Sequence, residues 1–64
     1  MTSELYEILT KVRQLRAASH ETLSLGLVGP GTEAYGLIKG SIAGYDEVIH
    51  LLTMEIGRLE VAAS

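Results

Sequence analysis

The chain has 64 residues, no cysteine, a formal net charge of −3 and a hydrophobic fraction of 47%. This length permits one domain, residues 1–64, near the lower limit for a chain that folds alone, and the lack of cysteine excludes a disulfide framework. The acidic balance argues against nucleic-acid binding, which needs a positive face to release phosphate counterions. We expect oligomerisation to add stability, because the apolar fraction is high for so short a chain.

The first predicted element is a helix over about residues 3–23. Ser3 is its expected N-cap, and carboxylates follow in the first turn, where they meet the positive end of the helix dipole. Apolar residues at steps of three and four predict a stripe that contacts a partner helix. The stripe consists of Leu5, Ile8, Val12 and Leu15, widened by Leu9 and continued by Ser19 and Thr22.

Basic side chains lie along one side of this helix. Arg16 projects from the shoulder of the apolar stripe, with Arg13 and His20 on the same side. One interpretation is that the stem of Arg16 covers apolar surface while its guanidinium reaches water or a carboxylate of the second helix. The other is a site for an anion at a subunit boundary, in which these three residues act with a stacking tyrosine such as Tyr35.

An apolar loop rich in glycine is predicted over about residues 24–31. Gly26 is expected to take the left-handed conformation that ends a helix, and Gly29-Pro30-Gly31 is a turn signal. The apolar residues around this connection are Leu23, Leu25, Leu27 and Val28. They either cap the open end of a helix pair or form an apolar tip that enters a neighbour's groove.

The second predicted helix, about residues 32–60, has the most regular pattern in the chain. Thr32 is its expected N-cap, with Glu33 in the first turn. Apolar residues then follow a heptad repeat, which requires a partner helix along the stripe. They are Tyr35, Ile38, Ile42, Tyr45, Ile49, Leu52, Ile56 and Leu59. The short connection predicts an all-α, antiparallel two-helix hairpin.

Three glycines, Gly36, Gly40 and Gly44, stand four residues apart inside this helix. Each costs about 1 kcal/mol relative to alanine in a helix interior. They form a ridge, nearly opposite the heptad stripe, that lets another helix approach closely. Either another subunit or protein covers this ridge, or the glycines make room for the first helix or the loop of the same chain.

The predicted helix lengths also favour association. The second helix outruns the first by roughly 10 Å at 1.5 Å per residue. Its last turns, around Met54, Ile56, Leu59 and Val61, are then expected to lack cover within the chain. We therefore predict that the hairpin assembles into a helical bundle or oligomer, through the heptad stripe and the glycines.

Catalytic and metal-binding patterns are weak. Asp46 and His50 lie four residues apart on one helical face, but two ligands do not make a metal site, and such exposed pairs are usually surface contacts. The glycines match neither a phosphate loop nor a dinucleotide fingerprint, because they lie inside a helix. We expect no enzymatic activity, no catalytic residue, no metal and no cofactor.

Charged residues interrupt every apolar window of the second helix, and the first residues are polar and acidic. The sequence thus predicts neither a membrane span nor a secretory signal, and we expect a cytoplasmic protein.

The stretch Tyr35-Gly36-Leu37-Ile38-Lys39-Gly40-Ser41-Ile42-Ala43-Gly44-Tyr45 resembles short helical proteins encoded by tailed bacteriophages. In those proteins an aromatic residue, a leucine or isoleucine and one or two glycines precede an apolar helix. The resemblance covers this stretch alone. It implies a small virion-assembly or host-takeover factor, in the host cytoplasm or associated with the virion, and it carries over no catalytic or binding residue.

Three functions follow from these patterns. The leading hypothesis is a non-enzymatic hairpin that self-associates and acts through protein–protein contact. The alternative is an oligomeric binder of an anionic nucleotide, with pockets between subunits lined by Arg13, Arg16, His20 and a tyrosine. A further alternative is an inhibitor that docks its apolar face on a host enzyme.

Overall fold

The computed structural model describes residues 2–63, which form two helices joined by residues 25–32. Helix α1 spans Thr2–Ser24 and helix α2 spans Glu33–Ala63. The helices pack against each other along a molecule of 49 × 14 × 12 Å, and the described residues include no strand. The prediction of an all-α hairpin is confirmed. Both helices are longer than expected, α1 by one residue at each end and α2 by three residues at its C-terminal end.

Local hydrogen bonds explain where the helices end and begin. Gly26 has a φ of 69° and its amide donates to the carbonyl oxygen of Leu23 at 3.2 Å, so it closes α1 in the left-handed conformation. The Thr32 hydroxyl donates to the Gly29 carbonyl at 2.7 Å and accepts from the Tyr35 amide at 3.2 Å. This second bond satisfies a free amide of the first turn of α2, as an N-cap does. Both predictions, for Gly26 and Thr32, are confirmed.

The contact line between the helices, here called the seam, follows a heptad repeat in both. In α2 all eight predicted heptad residues, from Tyr35 to Leu59, are buried or half-buried. The seam of α1 is formed by Thr2, Leu5, Leu9, Val12, Arg16, Ser19 and Leu23, which are also buried or half-buried. Among residues 2–63 the only buried residues are Leu9, 5% exposed, and Ile56, 4% exposed. The hairpin therefore encloses a very small core of its own.

The predicted stripe of α1 is wrong in its phase. Ile8 and Leu15 are 47% and 52% exposed, whereas Leu9 and Arg16 lie in the seam. Both phases share Leu5 and Val12, so the apolar pattern alone does not separate them. Arg16 fits the seam because its long side chain carries the guanidinium out to a carboxylate on α2.

The expectation that the last turns of α2 lack cover is also wrong for Ile56, which is buried, and for Leu59, which is half-buried. The hydroxyl of Tyr6, in the second turn of α1, donates to the carboxylate of Glu60 near the end of α2. This register makes the free ends of the two helices level. The extra length of α2 lies instead at the loop end.

The apolar residues of the connection divide between the two predicted roles. Leu23 and Val28 are half-buried, as expected for residues that cap the end of the helix pair. Leu25 and Leu27 are 64% and 72% exposed, as expected for an apolar tip.

Candidate interaction surfaces

One side of the hairpin is charged. Each heptad contributes two residues to the seam, three residues apart. The residue directly after the second of them lies to one side of the seam, and in antiparallel helices it is the same side of the hairpin for both. These positions hold Tyr6, Arg13 and His20 of α1 and Lys39, Asp46, Thr53 and Glu60 of α2, and we call this surface the charged flank. The Tyr6 hydroxyl bonds the two oxygens of the Glu60 carboxylate at 3.2 and 3.3 Å. Donation to this carboxylate raises the pKa of Tyr6 above its ordinary value.

The predicted partner of Arg16 is found on this flank. Its Nε donates to Oδ1 of Asp46, so the interpretation in which Arg16 reaches a carboxylate of the second helix is confirmed. The two side chains remain 38% and 52% exposed, and the pair is therefore screened by water. The carboxylate of Asp46 therefore has a partner on α1, besides its expected neighbour His50 on the same helix.

A cleft of about 300 Å³ opens between the helices near their free ends. Its lining is Tyr6, Leu9, Arg13, Thr53, Ile56, Gly57 and Glu60. Gly57 widens it, because this position has no side chain, and the two buried residues of the core form its apolar part.

A single chain does not assemble the four residues of the predicted anion site. Arg13, in the middle of α1, lines the cleft beside Thr53, and Arg16 is paired with Asp46. His20 is exposed two turns after Arg13 on the same helix. Tyr35 stands in the first turn of α2, eighteen residues before Thr53, which is about 27 Å along the helix axis at 1.5 Å per residue. The side chain near the Tyr35 ring is Lys39, whose Nζ lies 5.6 Å from the ring centroid.

The three glycines of α2, here called the glycine ridge, face open space. Gly36, Gly40 and Gly44 are exposed, and a Cβ atom added at any of them meets no atom within 4 Å. Neither α1 nor the loop of the same chain needs the room that these glycines leave. The explanation within one chain is therefore excluded, and the ridge is available to a different molecule.

The side opposite the charged flank is mainly apolar, although it also holds the ion pair of Glu55 and Arg58. It holds Ile8 and Leu15 of α1 and Leu37, Val48 and Leu51 of α2, whose exposed fractions range from 41% to 67%. We call this surface the apolar flank. Three of these residues directly precede the first of the two seam residues of a heptad, namely Ile8, Leu15 and Val48. In antiparallel helices this position lies on the same side of the hairpin for both helices. Sequence reasoning missed this surface because it assigned Ile8 and Leu15 to the seam.

Other kinds of site find little support in residues 2–63. No three histidine, aspartate or glutamate side chains gather there in a way that would hold a metal ion. Neither helix has an apolar segment long enough to cross a membrane, as far as the described part of the chain extends. Comparison with protein-family models, curated proteins and solved structures finds no match. Function must therefore be argued from the surfaces of the hairpin.

Proposed function

We propose that the protein is a non-enzymatic helical hairpin that self-associates and acts through protein–protein contact. The observation that carries this proposal is the accessible surface. The hairpin exposes 4719 Å², whereas a compact folded chain of 6.9 kDa exposes about 4,000 Å². The surplus of about 700 Å² means that the single hairpin is less compact than a folded monomer of its mass, as expected for a chain that completes its core by association.

The residue types exposed on the hairpin support the same proposal. Ten large apolar side chains of the described residues are exposed, against two that are buried. A monomer gains only part of the burial energy of these groups, and a core with two buried residues supplies little stability to a chain this short. Association through one face adds the exposed groups of that face to a shared core.

The glycine ridge is the second support. Three glycines inside α2 together cost roughly 3 kcal/mol of helix stability relative to alanine. The open space around them offers nothing within the hairpin to offset that cost. Close approach of another helix is the packing that such a surface permits.

The biological role that we attach to this activity is that of a phage assembly or host-takeover factor. It rests on the resemblance of residues 35–45 to short helical proteins of tailed bacteriophages, and on no other observation. The self-association is independent of this role.

Thermal unfolding at several protein concentrations tests the proposal. If folding is coupled to self-association, each tenfold rise in concentration adds about 1.4 kcal/mol of stability per dimer, and the Tm rises by several degrees. Far-ultraviolet circular dichroism at low, middle and high micromolar concentrations measures it. A Tm that is independent of concentration, with helical content equal throughout, contradicts the proposal.

A further inference from the structure

The heptad positions of the exposed apolar residues indicate a helical bundle of more than two helices. A helix that packs along one partner needs apolar residues at its seam positions only. Helices that face the core of a bundle carry a wider apolar face, with a third apolar position beside the seam. In this hairpin that third position is apolar at Ile8, Leu15 and Val48, and Leu37 and Leu51 widen it further on α2.

From this arrangement we infer that the apolar flank is the docking surface for a second copy of the chain, so that two hairpins form a four-helix bundle. The inference rests on the proposed self-association and names the surface through which it occurs. Two copies that meet through the same flank are related by a two-fold axis, the commonest symmetry of homo-oligomers. The seams of the two hairpins and the two flanks then form one continuous core.

The area available agrees with a second copy as the occupant. Two separate hairpins expose about 9,400 Å², whereas a compact protein of twice the chain mass exposes about 6,600 Å². A compact four-helix bundle would therefore bury about 1,400 Å² per chain, more than the roughly 800 Å² per partner of a standard interface. The flank runs along both helices of a molecule 49 Å long and 14 Å wide, so a second hairpin of equal length covers it from end to end.

The charges on and beside the flank also agree with contact between identical surfaces. They are Glu4, Lys11 and Arg58 beside the flank, and half-buried Glu55, which lies in the flank itself seven residues after Val48. The whole chain has a net charge of −3, yet these four charges sum to zero, so two copies do not repel each other there. Glu55 and Arg58 are already paired, with Nε of Arg58 3.1 Å from Oε2 of Glu55.

Gly44 gives the flank its shape. It lies seven residues after Leu37 and seven before Leu51, on the same line along α2. An added Cβ atom at Gly44 meets nothing within 4 Å, so the line has an open notch between two exposed leucines. A leucine of the second copy fits such a notch and brings the two helices close together.

A pair of matched charge substitutions tests the assignment. Leu51 and Met54 lie on the same helix, are 56% and 59% exposed, and differ in that Met54 points to the back of α2, away from the flank. We expect Leu51→Glu to raise the dimer dissociation constant by about 100-fold or more, because it buries a carboxylate in each half of the interface. Met54→Glu should leave it within a few-fold of the unchanged chain. Sedimentation equilibrium measures the constants.

The outcomes separate this inference from the proposed function. If Met54→Glu dissociates the dimer and Leu51→Glu does not, or if both do so equally, the flank is the wrong surface although self-association stands. If the unchanged chain is itself monomeric at every concentration, the proposed function fails.

Glycine substitutions provide an independent test that does not depend on a buried charge. Gly44→Leu should raise intrinsic helicity and still dissociate the dimer, since the added side chain fills the notch. Gly57→Leu is the matched control, because Gly57 also lies in α2 with open space around its Cα but on the side of the cleft. Equal effects of the two substitutions on the dissociation constant would overturn the assignment, and circular dichroism verifies that both variants remain helical.

Discussion

Replacing Arg16 with leucine should stabilise the hairpin, although it removes an ion pair between the helices. The pair with Asp46 is 38% and 52% exposed, and pairs exposed to this degree contribute only about 0.5 kcal/mol. A leucine at the same seam position buries roughly 60% of its side chain, which is worth about 1–2 kcal/mol. Asp46 keeps most of its hydration when the arginine is lost. The net gain is then about 1 kcal/mol, or a rise in Tm of roughly 4–8 °C.

Urea unfolding followed by circular dichroism measures this gain at one fixed protein concentration. Arg13→Leu is the matched control, because Arg13 lies on the same helix but is exposed on the charged flank, outside the seam. It should change the free energy of unfolding by less than about 0.5 kcal/mol. A loss of more than about 1 kcal/mol in Arg16→Leu would refute the reasoning, since the ion pair would then be worth far more than its exposure allows.

Three further predictions concern the core, a helix cap and a titrating group. Leu9→Ala should lower the free energy of unfolding by roughly 3 kcal/mol, because it removes one of the two buried side chains, whereas Gln14→Ala on the exposed side should change it by less than about 0.5 kcal/mol. Thr32→Ala should cost about 1 kcal/mol by removing the cap of α2, and denaturant unfolding measures both effects. NMR titration should give Tyr6 a pKa above 10.0, because its hydroxyl donates to Glu60, and Glu60→Gln should return it towards that value. The stabilising contribution of this bond is complete below the ordinary pKa and is lost as the pH rises through the raised one.

The second helix was predictable because its pattern is redundant. Its eight heptad residues permit only one face towards a partner, and the structure buries or half-buries all of them. The caps were predictable for a similar reason, since Gly26 and Thr32 are residue types whose local hydrogen bonding defines helix ends.

The first helix was not predictable to the same degree because two phases of its apolar stripe fit equally well. One phase includes Ile8 and Leu15, and the other includes Leu9 and Arg16. Because arginine is charged, a count of apolar residues favours the phase without Arg16. A tertiary contact decides between them, namely the bond of Arg16 to Asp46, thirty residues away in sequence. The apolar flank follows from the phase with Leu9 and Arg16 in the seam, because that phase leaves Ile8 and Leu15 exposed.

The spacing of Gly36, Gly40 and Gly44 predicts the glycine ridge, but what surrounds the ridge depends on how the two helices and the loop pack. Sequence periodicity places glycines on a helix face without indicating whether that face is covered by the same chain. The open space around all three residues answers this question. The predicted ligand residues illustrate the opposite case, because Arg13 lies in the middle of α1 and Tyr35 in the first turn of α2, far apart along the hairpin.

The solution mass tests the central claim, that the hairpin self-associates, most directly. Light scattering across a dilution series should give twice the chain mass of 6.9 kDa, falling towards that value only on dilution. A mass of 6.9 kDa at every concentration, with the helical content retained, would contradict the account.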